Sequence, residues 1–144
     1  MTAQVEKIHY LLMADHFIFQ KLLFGAIKDT GLTLGQPKVL DYLKSHNGAF
    51  QKEIAAACHI EQASLTSVLG GMEKKRLITR ENRNGNRRTL YVYLTEKGRE
   101  LADRIDSEFI RIEAAALEGF DEKEKALLSE YLQRVHKNIS DSQM

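Results

Sequence analysis

The chain has no tryptophan, one proline and one cysteine in 144 residues, and it has no low-complexity tract. Each scarcity removes a class of protein. Cys58 alone cannot form an internal disulfide, which argues against a disulfide-stapled secreted scaffold and for a reducing compartment. No apolar run approaches the roughly 18 to 20 residues that a membrane span needs. The opening MTAQVEK lacks the basic-then-apolar layout of a secretory signal, so a cytoplasmic protein is expected. There is no Gly-rich phosphate loop, no nucleophile elbow and no paired-carboxylate constellation, so neither an enzyme nor a cofactor is expected. The five histidines, His9, His16, His46, His59 and His136, show no ligand spacing such as His-x3-His with nearby carboxylates, and no metal site is expected.

What is present is a globular composition, 43% hydrophobic and 28% charged, in a chain long enough for one domain with a real core. The net charge of +1 hides a strong asymmetry. Residues 74–99 carry nine basic side chains against two acidic ones, whereas residues 100–144 carry six basic against eleven acidic. Within the basic segment lies RENRNGNRR, residues 80–88, where four arginines alternate with three asparagines around one glycine. Concentrating like charges costs repulsion, and a basic cluster of this kind is a footprint for a polyanion.

Hydrophobic periodicity places the elements. Residues 5–28 read as a helix whose apolar residues cover more than one stripe, which suggests contact with another subunit. In GLTLGQPKVLDYLKSHNG, Thr33 and Gln36 form a capping box for a second helix, with Val39, Leu40 and Leu43 inward and Asn47-Gly48 as a left-handed stop. Two short helices follow, about 51–57 and 62–75, joined by the tight junction CHIE. The second has Leu65, Val68, Leu69 and Met72 at i, i+3, i+4 and i+7, and the pair makes a helix-turn-helix. The period then changes from 3.6 to 2. Residues 78–83 and 86–94 read as strands of a hairpin with Asn84-Gly85 at its tip, since both positions of that turn need positive φ. Thr95 caps a helix over about 96–118 with Leu101, Ile105, Phe109 and Ile112 inward. Gly119 ends it, and Asp121 with Glu124 starts a last helix.

A helix-turn-helix followed at once by a basic hairpin is the layout of a winged helix-turn-helix. The expected fold is α+β, mainly α, as a single domain. Residues 1–30 and 100–144 supply dimerisation helices, and residues 31–99 form the DNA-binding region. A helix fits the DNA major groove, and the face opposite the Leu65 stripe carries Gln62, Ala63, Ser64, Thr66 and Ser67. Gln62 can pair with adenine, and Ala63 or the Thr66 methyl can meet a thymine methyl. From the hairpin, Arg87 or Arg88 can enter the adjacent minor groove, whose negative potential suits arginine. Arg83, Lys74 and Lys75 are further candidates for phosphate contact, the lysines serving equally well for solubility.

LGQPKVLDYL, QKEIAAACHIEQASLTSVLGGMEKKRLI and NRRTLYVYLTEKGREL resemble the multiple-antibiotic-resistance regulator (MarR) family, over about residues 30–101. LTEKG after an arginine-bearing wing is the most specific element. The resemblance implies a homodimer held by its end helices, binding of double-stranded palindromic operators, and repression relieved by small phenolic ligands, oxidants or metals. It also implies an effector pocket between the first, second and fifth helices, for a small aromatic molecule, with His16, Phe17 and Tyr42 as candidate lining. Two positions depart from the family pattern. Asn86 stands where an aspartate often precedes the wing arginine, and Ser67 stands where relatives often carry a recognition-helix arginine. Glu61 is a poor cap for that helix. Cys58, beside Ala57 and Ile60, is read as a small buried core thiol. Two other functions fit less of the sequence: a winged-helix module whose wing meets an acidic protein, and a ligand- or metal-binding dimer without a DNA role.

Overall fold

The computed structural model describes residues 6–83 and 85–142, and the side chain of Arg87 also lies outside the described part. Helix α1 spans Ile8–Ala26, followed by a 3-10 turn at Lys28–Thr30. Helices α2 (Gln36–Ser45), α3 (Gln51–Cys58) and α4 (Gln62–Lys74) lead into an antiparallel hairpin of β1 (Ile78–Arg83) and β2 (Asn86–Leu94). Helices α5 (Glu96–Ala116) and α6 (Glu122–Ser142) complete the chain. It forms two compact units, residues 1–110 and residues 111–144, with the boundary inside α5. The α+β, mainly α, winged helix-turn-helix is thus the observed fold.

Most of the core of the first unit lies in the winged segment, with Leu23, Ile27, Ala102 and Ile105 added from the flanking helices and turn. Val39, Leu40, Leu43, Ile54, Leu65, Leu69, Met72, Leu77, Ile78 and Val92 are all buried. Periodicity identified the α4 stripe, with one refinement: Val68 is only half-buried. The α3–α4 junction is tight because His59 adopts a left-handed conformation (φ 54°), and Ile60 donates its N–H back to the Ala55 carbonyl at 3.0 Å. At the other end of α4, Arg76 (φ 61°) turns the chain toward β1.

The expected capping box of α2 exists only in part. Gly35, left-handed at φ 90°, occupies the N-cap position, and the helix begins at Gln36 rather than at Thr33. One arm survives: the Thr33 N–H donates to Gln36 Oε1 at 3.0 Å. Pro37 fits the first turn, where its missing N–H costs no intrahelical bond. By contrast, the two caps expected for α5 and α6 are complete. Thr95 Oγ1 accepts the Gly98 N–H at 3.0 Å and donates to the Arg76 carbonyl at 2.7 Å. Asp121 Oδ1 accepts the Glu124 N–H at 2.8 Å, while Glu124 Oε1 accepts the Asp121 N–H at 3.0 Å. Gly98 is required for space, since a Cβ there would collide with the carbonyl oxygen of Leu77.

In the hairpin, Ile78 faces Leu94 and Glu81 faces Tyr91, and an irregularity between Glu81 and Arg83 re-registers the tip so that Arg83 faces Asn86. That register leaves a two-residue turn; Gly85 has φ 71°, and Asn84 lies outside the described residues. The segment between α2 and α3 adds a bridge that the sequence did not announce. Phe50 pairs with Tyr91, the Gly48 N–H donates to the Val92 carbonyl at 2.8 Å, and Asn47 Oδ1 accepts the Leu94 N–H at 2.8 Å.

In the second unit, residues 111–144, α6 buries none of its side chains, and Leu127, Tyr131, Leu132 and Ile139 are exposed. Helix α1 in the first unit behaves similarly. It buries only Leu23 and leaves Ile8, Met13, Phe17, Ile18 and Leu22 exposed. Among the described residues, no helix is long and apolar enough to cross a membrane.

Candidate nucleic-acid interface

Burial of Leu65, Leu69 and Met72 turns the opposite face of α4 outward, so that Gln62, Ala63, Ser64, Thr66 and Ser67 are all exposed. Thr66 Oγ1 donates back to the Gln62 carbonyl at 3.1 Å, which fixes its rotamer and presents its methyl. Glu61, the N-cap residue, makes no side-chain capping bond. The first-turn N–H groups of α4 are therefore not satisfied by a local side chain.

The hairpin approaches this helix at its N-terminal end. A groove of about 450 Å³ runs between them, lined by Gln62 from α4, Arg88, Thr89 and Tyr91 from β2, and Phe50, Gln51 and Lys52 from the start of α3. Gln62 and Arg88, chosen from two different elements of the sequence, thus share one surface. Lys52 and Gln51 join them without having been singled out. Their only local signal was position at the start of the first helix of the helix-turn-helix, where an alanine-rich run drew attention to packing instead.

Asn86 performs part of what an aspartate would. Its Oδ1 accepts the backbone N–H of Arg88 at 3.0 Å, and its Nδ2 donates to Thr89 Oγ1 at 3.1 Å. Asn82 Nδ2 closes the other side with the Asn86 and Thr89 carbonyls, both at 3.1 Å. The amide keeps the acceptor that orders the chain at Arg88 and adds no negative charge.

Several basic residues of the cluster have partners within the fold. The Arg83 guanidinium lies 4.3 Å from the Tyr91 ring centroid and 5.2 Å from that of Tyr93, so cation–π attraction folds it onto the hairpin. Gly48 leaves it room, since a Cβ there would lie 3.1 Å from Arg83 Nη2 and 2.9 Å from the Tyr93 ring. Arg80 grips Glu73 of α4 through Nε and Nη2 at 3.1 and 3.2 Å, and this pairing holds the Glu73 carboxyl below its ordinary range. Lys75 has partners within the fold: its ammonium donates to the Gly31 carbonyl and to Gln36 Oε1, both at 2.7 Å. Lys74, one residue earlier, is exposed.

A second cavity, of about 340 Å³, lies beside α1. Phe19, Leu23, Phe24 and Phe109 form its apolar walls, with Phe19 and Phe109 stacked at 5.8 Å, and His16, Gln20 and Lys38 give it polar points. His16 is there as expected, but Phe17 and Tyr42 are not. Residues 16, 19, 20, 23 and 24 share one helical face; Phe17 stands at the edge of that face, outside the cavity lining, and is 67% exposed. The Tyr42 hydroxyl donates to Glu53 Oε2 at 2.8 Å and its ring stacks on His46 at 4.2 Å; the bond to Glu53 pushes the phenol pKa up. Cys58 is buried, donates to the Lys38 carbonyl at 3.6 Å, and has its thiol pKa raised by desolvation, as suits a core residue. No group of three or more metal-ligating side chains occurs among the described residues.

A helix-turn-helix with a hairpin wing beside its second helix is the fold of the winged-helix regulators. The MarR family model matches residues 30–89. YybA of Bacillus subtilis (strain 168), an uncharacterized HTH-type transcriptional regulator, is 28% identical over 112 residues, which is 78% of this chain and 75% of YybA. A MarR family regulator of Listeria monocytogenes, solved in complex with a 26mer DNA, is 25% identical with a TM-score of 0.90, covering 96% of this chain and 92% of that one. NadR, solved in complex with 4-hydroxyphenylacetate, shares the fold at 20% identity with a TM-score of 0.77, covering 94% and 96% of the two chains. By its winged segment and its fold, the chain resembles the MarR family of transcriptional regulators.

Proposed function

We propose that the protein is a cytoplasmic homodimeric repressor that binds a palindromic operator and is released by a small aromatic effector. Residues 31–99 contact DNA, while residues 1–30 and 100–144 hold the dimer. The carrying observation is the groove that brings Gln62 of α4 together with Arg88 of the wing, which belongs to the most basic stretch of the chain. In the major groove, Gln62, Ala63, Ser64, Thr66 and Ser67 read base edges. Arg88, with Arg87, enters the flanking minor groove, and Lys52 and Lys74 meet phosphates. Arg83 and Lys75 act from behind, as supports. Ser67 offers no bidentate guanine contact, which leaves Gln62 as the main reader and favours adenine at its position. The exposed apolar face of α1 supplies the dimer contact, and two recognition helices then meet half-sites about 34–36 Å apart.

The effector reading rests on the cavity beside α1. Its aromatic walls suit a ring and Lys38 suits a carboxylate, the chemistry of the compound bound to NadR.

Selection of bound DNA from a random pool tests the proposal, a palindromic consensus being the expected product. On that consensus, Arg88→Ala should weaken binding by about 1–3 kcal/mol and lower the salt slope by about one phosphate contact. Equal, weak binding to every sequence would instead favour a wing that meets an acidic protein.

A further inference from the structure

We propose that the turn Gly35–Lys38 couples the cavity beside α1 to α4, with Gln36 as the positioning residue. This rests on the reading of α4 as the helix that meets DNA. Gly35, Pro37 and Lys38 form one wall of the cavity. Gln36, between them, is only 2% exposed and reaches the opposite way. Its Nε2 donates to the Val68 carbonyl of α4 at 3.5 Å, and its Oε1 accepts from Lys75 Nζ at 2.7 Å and from the Thr33 N–H at 3.0 Å. One buried amide therefore fastens the turn to the middle of α4 and to the residue just past its end.

Two glycines make the contact close. A Cβ at Gly71 of α4 would lie 2.8 Å from Gln36 Nε2, and one at Gly35 would lie 3.1 Å from Val68 Cγ2. Helix α4 consequently has little freedom to slide over the turn unless the amide moves with it. The other helix of the motif is tied to the same turn. Lys38 Nζ donates to the Cys58 carbonyl, the last of α3, at 3.4 Å, and Cys58 Sγ donates to the Lys38 carbonyl at 3.6 Å. An occupant that presses on Gly35 and Pro37, or draws the Lys38 ammonium to its own anionic group, acts on both helices through one short segment. A buried amide must keep its partners, so the turn transmits a shift instead of absorbing it.

A side chain can serve as the occupant. Gln20→Trp adds an aromatic ring from α1 into the cavity, and amide hydrogen exchange across residues 62–74 of the full-length protein reads the result. Gln20→Trp should speed exchange in α4 by about fivefold in the wild-type background and by less than about twofold with Gln36→Leu present. Gln36→Glu, which keeps an oxygen for Lys75 but loses the donor to the Val68 carbonyl, should blunt the response as well. If Gln36→Leu does not fold, Lys75→Met removes the other end of the bond and should blunt the response in the same way. Equal effects in both backgrounds, or unchanged exchange in α4 with Gln20→Trp, would overturn the coupling. On the selected operator, Gln20→Trp should weaken binding and the double variant should respond less. Absence of sequence-specific DNA binding would remove the proposed function, while the exchange comparison would still decide the coupling.

Discussion

The winged segment and the helix that precedes it use their apolar residues in opposite ways. In residues 31–99 the large aliphatic side chains of α2, α3, α4 and β2 converge, and Val39, Leu40, Ile54, Leu69 and Val92 are buried without residue from any other copy. Helix α1 is richer in apolar residues, yet it buries only Leu23. The most hydrophobic stretch of the chain is therefore not its core. Stripe geometry, rather than apolar content, decides which segment closes on itself and which is left with a face to cover.

That contrast can be broken most forcefully from the inside. Leu69→Ala should cost about 2–5 kcal/mol, because it removes a fully buried side chain where neighbouring helices cannot collapse into the space. A urea melt checks this, and a loss below the range would mean that the winged core is softer than its burial implies. On the outside, Phe17→Ala should leave the melt of a dilute sample almost unchanged but weaken self-association by about 2 kcal/mol, as removal of a central aromatic anchor does. Sedimentation over a concentration series separates the two effects. An unchanged association would move the dimer contact away from this face of α1.

The smallest effect is in acid. Asp29 is bound to Arg104 of α5 by two bonds of 2.7 Å, and Glu73 is bound to Arg80, so both carboxyls are held below their ordinary range. For groups lowered in the folded state, the stabilisation is present above the ordinary carboxylate pKa, near 4, and is lost as pH falls through the folded value. Both pairs are open to solvent, so the contribution is modest. Asp29→Asn and Glu73→Gln should each flatten the decline in melting temperature below about pH 4. If only Glu73→Gln does so, the winged segment alone governs acid stability.

Much of this was legible in the residues. The Leu65–Leu69–Met72 stripe, the cap at Thr95 and the Asp121–Glu124 box depend on neighbours within one or two turns, and local spacing reveals them. Gln36, Lys75 and Tyr42 each have a partner that local spacing does not show, because it comes from another element. Lys75 looks like any surface lysine until Gly31 is brought beneath it, and Gln36 looks like a cap until α4 closes over it. The Phe50–Tyr91 bridge was hidden in the same way, as a single pairing with no periodicity of its own. At the interface, the faces were readable but the division of labour was not. Arg83 and Arg88 look equivalent in the sequence, and only the tyrosines beneath Arg83 tell them apart.

Those tyrosines have an optical consequence. With no tryptophan in the chain, its intrinsic emission comes from five tyrosines, and two of them sit under the Arg83 guanidinium at the base of the wing. Any event that lifts Arg83 from Tyr91 and Tyr93 alters the surroundings of two of the five emitters at once. The unlabelled protein thus carries its own fluorescent gauge of wing movement.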